Sequence, residues 1–395
     1  MSSTLPPVAR RMTGVESSPV RDLLALTARP GVISFAGGLP APELFDTEGL
    51  RAAYDRALTG PDARRNLQYS PTEGSQALRE RLADRLTTRG LPTTADQLLI
   101  TTGSQQAVTL VTAALIDPGS LVLVEQPTYL AALQCFQLAG ATIRSVESDE
   151  HGLVPESLRA VLAEVTPAAL YLTPTFGNPT GRTLTEQRRR EVAELAVEHG
   201  FWIIEDDPYS ELRFEGSEVP TIASMPIAPD RTIYLGTFSK TAAPGLRLGW
   251  ARVAGPLIKA ITVVKQASDL HTSTIDQAAA AMYLESADLD AHVAILRKTY
   301  RDRRDAMLEA IARTLPEGSS WSRPDGGMFI WATLPDGLDS GSFLPAALAN
   351  QVAFVPGWPF FAEQPNLATL RLSYTTHTPD EIEEGMRRLA KVFQR

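Results

Sequence analysis

Between Leu121 and Val253 the chain repeats one pattern that leaves few folds open: a short apolar run almost without charge, a stretch of helical spacing, then another apolar run. Leu121–Glu125, Ala169–Leu172, Trp202–Glu205, Thr232–Leu235 and Leu246–Val253 read as strands. The stretch Glu186–Glu198, closed by Gly200, reads as one of the helices between them. Upstream, an apolar helical pattern over Gln105–Ile116 begins directly after Thr101-Thr-Gly-Ser104, a glycine turn opening a helix. Strands this short, apolar at successive positions, must be covered on both faces, and strands separated by helices are joined by crossovers. The expectation is an α/β fold, a three-layer sandwich around a mostly parallel central sheet.

The pattern changes after about Pro256. Ile258–Gln266 and Ile275–Glu285 read as helices, and the charged stretch Leu289–Thr314 as one long helix or two. The tail mixes short strands (Met328–Trp331, Val352–Val355, Thr369–Leu372) with a final helix Pro379–Phe393, which predicts a smaller α+β domain. A chain of 395 residues is too long for one ordinary core. The predicted division is an N-terminal arm and start of the small domain at 1–45, a large domain at 46–285, and the small domain at 286–395.

Composition removes several function classes. With a formal net charge of −9 the chain offers no basic face for nucleic acid, so an anionic ligand needs local positive charge. No window of eighteen or more apolar residues occurs, and the first eleven residues hold no apolar signal core. Cys135 is the single cysteine, which excludes an intrachain disulfide and reads as a small core residue in a cytoplasmic protein. The five histidines are scattered without metal-ligand spacing, so no metal is expected.

The chemistry-bearing residues sit at the ends of the predicted strands. Thr237-Phe-Ser-Lys240 puts a lysine where ligands bind in open α/β sheets, and desolvation beside other cations would make its amine a nucleophile. Arg247 follows in Pro244-Gly-Leu-Arg-Leu-Gly249, where a guanidinium could clamp a phosphate. Thr237, Ser239 and the helix start at Ser104-Gln105 could complete a phosphate cup. Glu205-Asp-Asp-Pro-Tyr209 places two carboxylates at the end of an apolar strand, costly unless one meets a cation. Asp206 is the candidate for that role, with Tyr209 beside it, whereas Asp207 before Pro208 reads as a turn cap. Asn178-Pro-Thr-Gly181 taken alone is ordinary turn chemistry.

In order along the chain, Ser18-Pro-Val-Arg21, Gly37-Gly-Leu-Pro40, Gln68-Tyr-Ser-Pro71, Gly103-Ser-Gln-Gln106, Asn178-Pro-Thr-Gly181, Asp206-Asp-Pro-Tyr209, Ser239-Lys240, Arg247 and Arg371-Leu-Ser-Tyr374 form a set. That set resembles the class I/II aminotransferases of pyridoxal-5′-phosphate fold type I, most closely the branch with 2-aminoadipate and kynurenine aminotransferases. The resemblance runs from about Ser18 to the C-terminus, so no preceding DNA-binding module is expected. It implies a homodimer and pyridoxal phosphate held by Lys240 as a Schiff base, with Asp206 on the ring nitrogen. It further implies Asn178 and Tyr209 on the 3-oxygen, Tyr129 stacked on the ring, and Ser104, Gln105, Thr237, Ser239 and Arg247 on the phosphate. Tyr69 would reach that phosphate from the second subunit. Arg371, with Asn178, would bind the substrate α-carboxylate, and Arg21 and Gly38 would belong to a segment closing over the substrate. One departure stands out: relatives usually carry glutamine just ahead of the Asn-Pro pair, where this chain has Phe176-Gly177. The Asn itself is retained, so cofactor binding is expected to survive, and the departure leaves open the local shape near the ring and hence the substrate.

The reaction so implied moves an amino group from an L-amino acid to a 2-oxo acid, with 2-oxoglutarate a candidate acceptor, by ping-pong kinetics with Lys240 as proton carrier. Arg21 favours acidic side chains, while Phe45, Trp358 and Phe360 favour aromatic or branched ones. The alternative on the same fold is elimination, cyclisation or oxidation without an acceptor. A ligand sensor and a nucleotide-binding enzyme rank lower, since Lys240 is retained and neither Gly-rich phosphate motif occurs.

Overall fold

The computed structural model describes residues 8–12, 23 and 30–393. Its centre is a seven-stranded sheet, in the order Leu98–Thr101, Gly249–Arg252, Thr232–Thr237, Trp202–Asp206, Ala169–Leu172, Leu121–Glu125, Thr142–Val146. Gly249–Arg252 runs antiparallel to both its neighbours, and the remaining pairings are parallel. The inner strands are buried at nearly every position, which is why they read as unbroken apolar runs rather than alternating ones. Separate apolar clusters cover the two faces: Val108, Val111, Phe136 and Ile261 on one, Leu158, Val192, Leu195 and Ile222 on the other.

A second, four-stranded antiparallel sheet, Ser320–Trp321, Phe329–Thr333, Thr369–Ser373 and Val355–Pro356 in that order, packs against the helix Leu289–Thr314 and the C-terminal helix Pro379–Phe393. The N-terminal strand Ile33–Ser34 pairs in parallel with Val352–Ala353, which ties the segment carrying Gly38 to this part of the molecule. No described helix is long and apolar enough to cross a membrane.

Two expectations change in detail. The charged stretch Leu289–Thr314 is a single helix, started by the Asp288 side chain accepting from the Ala291 N–H. The strand expected over Leu246–Val253 begins only at Gly249, because Pro244–Leu246 is a 3₁₀ turn and Arg247 adopts a left-handed conformation at φ 51°. That kink turns the chain back antiparallel and aims the guanidinium at the loop ahead of Ser104. Helices Thr47–Thr59 and Leu130–Leu138 and the edge strand Thr142–Val146 escaped the sequence reading. The first buries only Ala53 and Ala57, and the last alternates too weakly to stand out.

Candidate active site

Four strand ends deliver the central side chains. Asp206 closes Trp202–Asp206, Thr237 closes Thr232–Thr237 and hands on to Ser239 and Lys240, Thr173 follows Ala169–Leu172, and Ser104 opens a helix after Leu98–Thr101. They converge on a cavity of about 300 Å³. Of the expected residues, Gly38, Ser104, Gln105, Tyr129, Asn178, Asp206, Tyr209, Thr237, Ser239, Lys240, Arg247 and Arg371 all line it. Tyr69 does not; it is 78% exposed, with its ring edge-on to His271. Arg21 lies outside the described residues.

At the cavity floor Asp206 is buried, and its Oδ2 accepts from the Tyr171 hydroxyl at 2.7 Å while Oδ1 has no partner. Burial pushes its carboxyl up to about 6, partly opposed by the Tyr171 hydrogen bond. Asp207 does turn away: its carboxylate caps the Ser210 N–H at 3.1 Å and accepts from the Tyr234 hydroxyl at 3.0 Å. Lys240 Nζ donates to the Gly38 carbonyl at 2.7 Å. Burial pulls its amine down to about 8, and the Arg371 and Arg247 charges add to the effect.

The anion-receiving end is built from backbone. Gly103 sits at φ 79°, where a side chain would be strained, and a Cβ there would meet Arg247 Nη2 at 2.7 Å. The start of the helix Ser104–Leu115 therefore opens onto the guanidinium, combining free N–H groups with a fixed cation. Thr237 Oγ1 accepts from the Ser239 N–H at 3.1 Å and donates to the Leu248 carbonyl at 3.0 Å, holding both hydroxyls at that end.

On the far wall Arg371 is buried, donating to Asn178 Oδ1 and to the Ala36 carbonyl, both at 2.7 Å, with Nε unpartnered. Its guanidinium lies 4.4 Å from the centre of the Phe329 ring and 5.0 Å from that of Phe360. Burial lowers it to about 10, so it stays cationic at neutral pH. Of the aromatic specificity candidates, Phe360 is core, packing beneath Arg371, and Trp358 is partly exposed.

Neither Phe176 nor Gly177 lines the cavity. Phe176 is fully buried against Gly326 and Gly327, with Arg213 4.6 Å from its ring centre. At Gly177 a Cβ would approach the Thr173 carbonyl to 2.8 Å, so this backbone path requires glycine. Three contributors were not foreseen: Tyr171, Thr173 and Phe329. Tyr171 carried a usable signal, since a tyrosine inside an otherwise aliphatic buried strand needs a partner for its hydroxyl.

This chemistry fits pyridoxal phosphate on observations internal to the cavity. The unpartnered Asp206 Oδ1 suits a protonated ring nitrogen, the depressed Lys240 amine suits an aldehyde, and the Gly103–Ser104 turn beside Arg247 suits a phosphate. The family model for aminotransferase class I and II matches residues 47–389. The chain is 40% identical over 392 residues to aromatic-amino-acid aminotransferase 1 of Thermococcus litoralis, covering 98% of this chain and 94% of that one. It is also 40% identical to the 2-aminoadipate transaminase of Thermus thermophilus, over 96% of this chain and 94% of the other. The crystal structure of Pyrococcus horikoshii kynurenine aminotransferase in complex with PMP superposes with a TM-score of 0.93 at 40% identity, covering 98% of this chain and 96% of that one.

Proposed function

The chain belongs to the aminotransferase class I and II family, and from that premise we propose how its own residues divide the work. It moves an amino group from an amino acid to a 2-oxo acid with pyridoxal phosphate as cofactor. When bound, pyridoxal phosphate supplies the electron sink for the bond broken at the substrate's α-carbon. Lys240 would hold it through Nζ, Asp206 would keep the ring nitrogen protonated, and Tyr209 with Asn178 would face the 3-oxygen. Tyr129 would lie on the ring face, and Ser104, Gln105, Thr237, Ser239 and Arg247 would hold the phosphate. The observation that carries this assignment is the unpartnered Asp206 Oδ1 in the same cavity as a lysine whose amine burial has lowered to about 8.

Each remaining role follows from a local feature. An amine near 8 is neutral often enough at physiological pH to take up the α-proton at Nζ and to give it back. Arg371, braced by Ala36 and Asn178 and with Nε free, would take the substrate carboxylate. One guanidinium would serve both substrates, so amino acid and 2-oxo acid must occupy it by turns, and with the amino group kept on the cofactor between them the kinetics are ping-pong. Gly38 borders the substrate end, and its carbonyl must release Lys240 when the amine engages a ligand. The large cofactor-binding unit would be 46–285, with 286–395 and the N-terminal arm 1–45 forming the smaller one. The single cysteine accords with a cytoplasmic location.

The named relatives support a donor range of aromatic amino acids, kynurenine and 2-aminoadipate. Adding single amino acids to the enzyme without any 2-oxo acid, and following the visible spectrum, tests this. These donors should convert the cofactor faster than aspartate does, and 2-oxoglutarate should reverse the change; the opposite ranking overturns the donor assignment. In Arg371→Leu the amino-acid concentration for half-conversion should rise about 100-fold, since a buried cation is removed from its carboxylate.

Tyr69 supports a homodimer, because an exposed tyrosine outside its own chain's cavity is free to complete a second one. Sedimentation should give a dimer, and Tyr69→Phe should weaken cofactor binding about tenfold by removing one hydrogen bond to a charged group. Unchanged affinity in a dimeric Tyr69→Phe protein would leave the phosphate to one subunit alone.

A further inference from the structure

Behind the anion-receiving end lies a buried cation that the roles above do not use. Lys265, on the helix Leu257–Asp269, is fully buried. Its Nζ donates to Gln106 Oε1 at 3.1 Å, to Thr272 Oγ1 at 3.0 Å, and to the two carboxylate oxygens of Asp269 at 2.9 and 3.0 Å. Burying an ammonium is costly, and the partners are what make it tolerable. A hydrophobic residue could have filled this place, so the directions in which the network points are informative.

They point to the loop between strand Leu98–Thr101 and helix Ser104–Leu115. Gln106 Oε1, held by Lys265, also accepts the Thr102 N–H at 2.7 Å, and Gln106 Nε2 donates to Asp269 Oδ2 at 2.6 Å. The Thr102 hydroxyl donates to the same Asp269 oxygen at 3.4 Å, while the Thr102 carbonyl accepts from Arg247 Nη2 at 3.4 Å. Thr102 is therefore gripped through its N–H, its hydroxyl and its carbonyl. Gly103, the most permissive backbone position of the turn, follows directly on this anchored residue. Free helix-terminal N–H groups hold a dianion well only if their positions are set in advance, since ordering a loop on binding subtracts from affinity.

We propose that Lys265, Asp269 and Gln106 form a positioning network that fixes the Thr102–Gly103 turn, and with it Arg247 and the start of the Ser104 helix, to receive the cofactor's phosphate. The network touches no reacting atom and acts only through this turn. The proposal rests on the assignment of Ser104 and Arg247 to the phosphate made above.

Pyridoxal, which lacks the phosphate, separates positioning from general stability. Equilibrium dialysis of the full-length protein against pyridoxal phosphate and against pyridoxal gives both affinities for wild type, Gln106→Met and Lys265→Met. Each variant should bind pyridoxal phosphate about tenfold more weakly and pyridoxal within about twofold of wild type, the size expected for lost hydrogen bonds to a charged group. Gln106 is half-buried near the start of its helix, so Gln106→Met decides the matter if Lys265→Met does not fold. Equal weakening of both ligands, or no weakening of either, overturns the proposal. A wild-type protein that bound pyridoxal as tightly as pyridoxal phosphate would remove the phosphate assignment itself.

Discussion

Lys240→Ala should lower turnover about 10⁴-fold, because on the proposed assignment the residue that would bind the cofactor would also move the α-proton. The variant should still take up pyridoxal phosphate, since the proposed phosphate and ring contacts would belong to other side chains, but without the visible absorbance that depends on a lysine. A pH signature accompanies the loss. Only the neutral amine attacks an aldehyde, and burial beside Arg371 and Arg247 has brought the Lys240 amine down to about 8. The rate of cofactor uptake by stripped wild type should therefore rise as the pH climbs toward 8 and level off above it, measured by stopped-flow absorbance. A rate that keeps rising to pH 10 would mean an unperturbed lysine, and full turnover in Lys240→Ala would place the chemistry elsewhere.

Asp206→Asn should lower kcat about 10³-fold, the cost of removing a pre-placed charge from a buried site. The same substitution should make the cofactor-free protein more stable at pH 8. The sign follows from the shift: burial raises the folded carboxyl from 3.8 to about 6, so the folded state holds its proton more tightly than the unfolded chain. Stability attributable to this group is intact below the unfolded value and is lost as pH rises through the folded one, by roughly 3 kcal/mol across that interval. Thermal melts of stripped wild type and Asp206→Asn should differ at pH 8 and converge near pH 4. Equal melting points at pH 8 would show that the wild-type carboxylate has a partner or solvation that offsets its burial. On the proposed assignment, a protonated ring nitrogen would compensate this destabilising charge.

Much of the candidate site was legible because its residues sit in strand ends and turns with distinctive chemistry. Lys240 after Thr232–Thr237, Asp206 at the end of Trp202–Asp206 and Gly103 opening a helix are local features, and local features survive in sequence. The roles of Tyr171 and Phe329 were not legible, although the Tyr171 hydroxyl in an aliphatic buried strand signalled that it needs a partner. Each contributes through a neighbour far along the chain, Tyr171 to Asp206 and Phe329 to Arg371, and strands buried on both faces give no periodic clue to which side chain looks inward.

The alternation of short apolar runs and helices by itself determined a mostly parallel sheet, because runs of that length and composition can be satisfied only between two helical layers. Tertiary structure alone decided the reversed direction of Gly249–Arg252, the left-handed turn at Arg247, and the gathering of Arg371, Asn178 and Lys240 around one cavity. It also decided that Lys265 is buried behind the Thr102–Gly103 turn, with Asp269 pairing it from the more exposed side. Hydrophobic spacing specifies which elements form and which faces they bury. The pairing of buried polar groups depends on distances between elements remote in the chain, and those are set only when the layers pack.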